Sequence, residues 1–120
     1  MTTNEKRPLI TTTVLYPNGV DAHLNIEYYV KQHLPLAERI WAPLGMRTWA
    51  VTSFMPGPDG SPPPYLVETV SEWTSVEAAK EAMECEAGKK VLQDVPNFTN
   101  VKPVAVFGEV IGRWSRNNTS

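Results

Sequence analysis

The stretch Met55–Tyr65 reads MPGPDGSPPPY and holds five of the chain's eleven prolines, so neither a helix nor a central strand can run through it. A stiff loop must therefore lie near the middle of the 120 residues, with the regular elements built from the two flanking halves. Other prolines mark element ends: Pro17, Pro43 and Pro96 each sit where a periodic pattern stops. Pro103 falls within an apolar run, and a strand tolerates it only at an edge or at its first residue. Pro35 alone falls inside a helical pattern.

The two halves read alike in outline. Leu9–Tyr16 (LITTTVLY) is β-branched and aromatic and is stopped by Pro17-Asn18-Gly19, which predicts a strand. Asn25 is a plausible N-cap for a helix from Ile26 to about Pro43, ended by Gly45, and Met46–Met55 predicts a second strand. Beyond the loop, Tyr65–Trp73 reads as a strand. Thr74 or Ser75 caps a helix over Val76–Glu84, with Glu77 in its first turn. Gly88 is expected to interrupt that helix, leaving a short Lys89–Asp94 helix before Val95-Pro96, and Val101–Ile111 predicts the last strand. The tail from Arg113 reads as frayed, so one domain spans 1–120 with its core at about 9–111. The order β-α-β-β-α-β is that of a ferredoxin-like α+β fold, a four-stranded antiparallel sheet with helices on one face. Val104-Ala-Val-Phe and Leu66-Val lack clean alternation, which argues that both sheet faces are covered. Two helices cover one face only, so a homodimer packed sheet against sheet is expected.

Composition closes off several function classes. A single cysteine excludes an intrachain disulfide and multi-thiolate metal or iron–sulfur sites. A net charge of −2 carries no footprint for nucleic acid or an anionic membrane. The opening residues contain no apolar run of signal-peptide or membrane-span length, so a reduced, cytoplasmic location is expected, with the Asn-x-Ser/Thr triplets at Asn97, Asn117 and Asn118 unused. No phosphate-cradling glycine loop and no flavin or nicotinamide fingerprint is present.

The first helix carries the chemistry. On a wheel at about 100° per residue with Tyr29 at zero, Leu36 falls at about −20°, Ile40 at about +20° and His33 at about +40°. Ala37, Val30, Trp41 and Leu34 continue the apolar arc, while Tyr28, Pro35 and the charged residues face solvent. Pro35 deletes one backbone bond and leaves the Lys31 carbonyl free, for water or for a bend. His33 thus sits within the buried stripe, one turn after Tyr29. Two readings are open. It is a core histidine bonded to a carbonyl, or a neutral acid/base kept uncharged by its apolar surroundings, with Tyr29 orienting it or polarising a substrate oxygen.

Tyr28-Tyr29-x-x-x-His33-x-Pro35-Leu36, after a strand ending Val14-Leu-Tyr-Pro17, resembles the EthD family of small dimeric α+β-barrel proteins. The similarity continues through Gly57-Pro-Asp-Gly-Ser-Pro-Pro-Pro-Tyr65, Asp94-Val-Pro-Asn-Phe-Thr-Asn100 and Pro103-Val…Gly108-Glu109-Val110, covering roughly residues 9–111. The resemblance implies a ferredoxin-like subunit that dimerises through its sheet, with a pocket between sheet and helices. It also implies a superfamily of cofactor-free monooxygenases, cyclases, decarboxylases and isomerases, with some haem proteins. The family's histidine corresponds to His33 and its paired tyrosines to Tyr28 and Tyr29. The usual Phe-Asp at the helix entrance is Leu24-Asn25 here, which keeps the cap and loses a charge.

The expectation is a homodimeric, cofactor-independent enzyme performing proton transfer (isomerisation, cyclisation with dehydration, or decarboxylation) on a small aromatic or polyketide-like substrate. His33 is the general acid/base, Tyr29 its partner, and Tyr16, Trp41 and Phe98 the pocket walls. A cofactor-free monooxygenase and a non-catalytic ligand-binding or accessory protein are the alternatives. No metal site is expected, because His23, His33 and a carboxylate fit no common zinc spacing; haem on His33 would need space that Trp41 denies. Trp49 and Trp73 are expected in the core or an interface rather than the pocket, and Glu68 and Glu109 paired with Arg47 or Lys102. Asn97 and Asn100 are expected to cap a turn, and Cys85 to be inert.

Overall fold

The structure is a computed structural model that describes residues 9–116, so Asn117, Asn118 and the end of the expected frayed tail lie outside the described residues. Strands β1 (Ile10–Pro17), β2 (Met46–Ser53), β3 (Tyr65–Trp73) and β4 (Val104–Glu109) form one antiparallel sheet in the order β2-β3-β1-β4. That is the ferredoxin-like arrangement, with β1 and β3 central and β2 and β4 at the edges. Pro103 stands just before edge strand β4, where its missing N–H costs no central ladder bond.

The proline-rich loop joins β2 to β3 and is tied down. Gly57 N–H donates to the Ser61 carbonyl (2.9 Å), and Asp59 accepts from both the backbone and hydroxyl of Ser61. Asn18, just past β1, bonds the carbonyls of Pro63 and Pro64, so the loop is pinned to the end of the central strand.

The first helical arm is not a continuous α-helix. Helix α1 (Ile26–Tyr28), capped by the Asn25 side chain, passes into a π turn over Tyr29–His33, then into α2 (Leu34–Trp41) and a 3-10 turn over Ala42–Leu44. Leu34 N–H bonds the Tyr29 carbonyl five residues back, and Pro35, next in line, has no N–H to offer. The expected bend at Pro35 thus takes the form of one inserted residue. A one-residue insertion rotates the upstream segment by about 100° relative to α2. Tyr29 thereby joins Leu34, Ala37 and Trp41 on one buried face, while Val30 and Ile26 turn outward and Leu36 and Ile40 are only half-buried. The uninterrupted wheel is corrected at Val30, Leu36 and Ile40, and at Pro35, which is half-buried and not in solvent.

The second arm is α3 (Val76–Glu84), capped by Ser75, and α4 (Glu86–Gln93). The interruption falls at Cys85 and not at Gly88: the Cys85 sulfur accepts from Gly88 N–H at 3.3 Å and caps α4. Gly88 instead permits close packing, since a Cβ there would lie 1.5 Å from the Ala82 carbonyl oxygen. A 3-10 turn, Val95–Asn97, leads toward β4.

Helices cover the face of the sheet carrying Thr12, Tyr16, Val67, Thr69, Ser71 and Trp73, all buried. The opposite face, with Leu15, Val70, Val104 and Val106, has no cover from the described residues, and both β4 valines are nearly half exposed. Glu68 lies on that face and Glu109 ends β4. Neither forms the expected ion pair, since the described residues contain only Lys31–Glu27 and His33–Asp94. No helix of the described residues is long and apolar enough to cross a membrane.

Candidate active site

Two packed clusters lie between helices and sheet, one around Trp41 and Trp73, the other around Tyr16, Tyr29 and Phe98. Between them is a cavity of about 80 Å³. One enclosed water needs roughly 10–15 Å³ on this scale, so the space suits a short chain or a single ring. Its walls include Tyr16 and Val14 from β1, Tyr29, His33 and Trp41 from the first arm, and Trp49 from β2. Ser71 and Thr69 from β3, Val91 from α4 and Ala105 from β4 complete them. Tyr16, Tyr29, His33 and Trp41 are thus brought to one cavity. Phe98 is not among its walls; it packs beneath, with its ring 4.6 Å from His33 and 5.0 Å from Tyr29. Trp49, expected in the core or an interface, lines the cavity, with its indole N–H donating to Glu38. Trp73 is core, its N–H held by Thr12.

His33 is 5% exposed, and its Nδ1 lies 3.0 Å from Asp94 Oδ2. Asp94 caps the end of α4 and is itself fixed by donors: Tyr28 Oη reaches Oδ1 at 2.9 Å and Asn97 Nδ2 reaches it at 2.8 Å. Tyr28, expected to face solvent, is therefore half-buried and turned toward Asp94. Asn97 anchors the carboxylate as well as its own turn. Asn100 ties the loop before α1 through the Asp21 carbonyl and His23 N–H.

Burial pulls the His33 pKa below 6.5, and Asp94, which favours the imidazolium, only partly offsets that. Burial pushes the Asp94 carboxyl up, but the bonds from His33, Asn97 and Tyr28 outweigh it and hold the pKa below 3.8. An ionised Asp94 facing a neutral His33 selects the tautomer with its proton on Nδ1, so Nε2 carries the lone pair. Nε2 has no protein partner among the described residues and is not sealed off, and His33 lines the cavity.

Tyr29 does not hydrogen-bond His33. Its ring stacks on the imidazole (centroids 5.2 Å apart, planes 17° off), and its hydroxyl pairs with Thr69 Oγ1 at 2.6 Å. Tyr16 meets Tyr29 edge-on, and burial pushes both phenols above 10; Tyr29 adds to the rise at Tyr16, while the hydroxyl partners of Tyr29 only partly offset its own. Both tyrosines are neutral hydroxyl groups here. The residue that orients His33 is Asp94, which sequence reasoning read only as the end of a helix. Its one trace was its place at the head of the Asp94–Asn100 fragment that carries the family resemblance.

No group of three or more His, Cys, Asp or Glu side chains among the described residues could share a metal ion, and His23 does not join His33.

No protein-family model matches the sequence, and no curated protein is similar enough to match it. Solved structures do match. An EthD-like protein from Ralstonia eutropha JMP134 superposes with a TM-score of 0.82 at 25% identity, over 91% of this chain and 97% of that one. SnoaB, a cofactor-independent oxygenase from Streptomyces nogalater, shares the fold at a TM-score of 0.57 and 10% identity, over 90% and 96%. A dimeric ferredoxin-like protein of unknown function from Thermobifida fusca gives 0.57 at 12% identity, over 86% and 92%.

Proposed function

The chain is EthD-like in structure and ferredoxin-like in fold, and on that premise we propose that it is a cofactor-independent enzyme of small-molecule proton transfer. The observation that carries this reading is the buried Asp94–His33 pair, with His33 lining a mainly apolar cavity and its Nε2 without a partner among the described residues. A neutral imidazole oriented by a carboxylate beside a mainly apolar pocket can act as a general base near neutral pH. It takes a proton from a substrate carbon or hydroxyl, and Asp94 stabilises the imidazolium until the proton is returned. Isomerisation of a one-ring or short-chain carbonyl compound is the simplest such reaction, and the cavity volume favours it over a multi-ring polyketide. An oxygenase of the kind that SnoaB is named for would begin with the same deprotonation and then consume oxygen.

The test is deuterium exchange. Small ketones and phenolic acids are incubated in D2O with the protein, and loss of the C–H signal is followed by proton NMR with an oxygen electrode in parallel. Exchange that vanishes in His33→Ala while its melting curve stays cooperative supports the assignment. Unchanged exchange by His33→Ala removes His33 from the chemistry, and saturable binding without exchange in the wild type assigns the chain to the ligand-binding class. The bare sheet face and the dimeric neighbour support a homodimer packed through β1, β3 and β4. Light scattering at low micromolar concentration should give twice 13.4 kDa; a monomer there contradicts the dimer.

A further inference from the structure

The first helical arm and strand β3 run alongside each other and are tied at two points. At one end the Tyr29 hydroxyl meets Thr69, and at the other the rings of Trp41 and Trp73 lie 5.8 Å apart. Between the ties, the helical arm presents His33 and the strand presents Ser71, and both line the cavity. Alternation along β3 fixes this, because 69, 71 and 73 share the covered face. Ser71 is 7% exposed, yet its hydroxyl makes no hydrogen bond with protein among the described residues. Both threonine hydroxyls on this face are engaged, Thr69 by Tyr29 and Thr12 by Trp73. Trp41 Nε1 is the one enclosed side-chain nitrogen or oxygen without a partner among the described residues, so the Ser71 hydroxyl, like His33 Nε2, borders open space. Buried hydroxyls are rarely left bare, and a serine can both donate and accept.

The geometry points to Ser71 as the group that binds the substrate's oxygen, and so to a ligand with one carbonyl oxygen on a ring or short chain and an acidic C–H beside it. This rests on the proton-transfer reading of His33 for its chemistry, although the binding assignment stands on geometry alone. When Nε2 takes the proton from the carbon next to the carbonyl, the C–H electron pair becomes the carbon–carbon π bond. The carbonyl π pair moves onto oxygen, where the Ser71 O–H donates to the developing charge. Return of the proton from His33 to the same carbon regenerates the ketone, which is the exchange read in D2O. Where the ligand also carries a C=C one carbon further on, so that the enolate is a dienolate, return to the far carbon of that double bond releases the conjugated isomer, and no other reactant is consumed.

The experiment compares cyclohexanone with methylenecyclohexane, equal in shape and different in the oxygen, by NMR titration of the full chain. The wild type should prefer the ketone. Ser71→Ala should weaken ketone binding by roughly fivefold to tenfold, the usual worth of one hydrogen bond, and leave the hydrocarbon unchanged. Ser71→Thr, which keeps the hydroxyl, should retain the preference. Equal losses for both ligands, no loss for either, or no binding of the ketone by the wild type would overturn the assignment. Exchange of the same ketone in D2O is read separately. If it survives His33→Ala while Ser71→Ala still abolishes the ketone preference, the proton-transfer reading fails and the oxygen-binding role of Ser71 holds.

Discussion

The two clusters beneath the sheet are built from different materials. The one around Trp41 and Trp73 is made of Ala37, Ala79, Ala82, Met46 and Val91, small and apolar residues that let α3 and α4 approach closely. The one around Tyr29 stacks the His33 ring on that tyrosine, sets Tyr16 and Phe98 edge-on to it, and threads hydroxyls and a carboxylate through them. Both arms of the helical layer are interrupted, and the interruptions differ in kind. At Cys85 the chain breaks and recaps, which changes direction without altering what is buried. At Tyr29–His33 it gains a residue, which rotates an aromatic pair into the interior and seats an imidazole there. The first is a packing device. The second places polar groups where packing alone would not, a cost natural folds accept mainly at sites of function.

Substitutions on the two sides should therefore fail differently. The largest effect is expected from Gly88→Ala. Its Cβ would collide with the Ala82 backbone, which cannot swing aside as a side chain can, so a loss of about 3 kcal/mol or more is expected in urea unfolding. A cost under about 1 kcal/mol would show that α3 and α4 are not locked together as described.

Asp94→Asn comes next and should act on turnover. The orienting carboxylate is lost, the wrong imidazole tautomer becomes accessible, and the rate should fall by about 100-fold or more with the fold retained. Its pH profile carries a signed prediction. Asp94 raises the His33 pKa against the larger effect of burial, so removing it should move the acid limb to still lower pH. A limb that stays put means His33 is not the group titrating. The stability profile of the wild type follows the same shifts. Because the folded His33 pKa lies below 6.5, stability is full above that value and declines as pH falls toward the folded pKa. Asp94, held below 3.8, adds a second loss only below that pH.

The smallest effect is expected from Tyr29→Phe. The ring still stacks on His33, and only the bond to Thr69 is lost, at about 1 kcal/mol. A drop in rate comparable to that of Asp94→Asn would restore Tyr29 as the direct partner of His33.

Much of this was legible in the residues. The Pro-rich loop, the Asn25 and Ser75 caps and the β3 boundaries depend on local chemistry, and local chemistry is what a sequence displays. Periodicity puts Tyr29 and His33 on one side of the first arm, whereas no register fixes Tyr16, Trp41 and Phe98 as walls, and Phe98 lies outside the cavity's lining. Asp94 did not show itself, because its meeting with His33 spans 61 residues and depends on how α4 lies against the first arm. The π turn was hidden for a related reason. Pro35 announces that a backbone bond is missing, but whether the chain kinks or inserts a residue is decided by what the rotated face then buries. That is also why Tyr28 belonged to the site when a regular wheel put it in solvent.

The central claim is that His33, oriented by Asp94, moves a proton at the cavity. The most direct test is the rate of ketone deuteration in D2O by wild type and His33→Ala at pH 7, with thermal melts run on both. The account predicts exchange that saturates with ketone in the wild type and falls to the buffer rate in the variant, which still melts cooperatively. Equal exchange by the two proteins, or a variant that loses its fold while exchange per folded molecule is unchanged, would contradict it and leave His33 a packed core histidine.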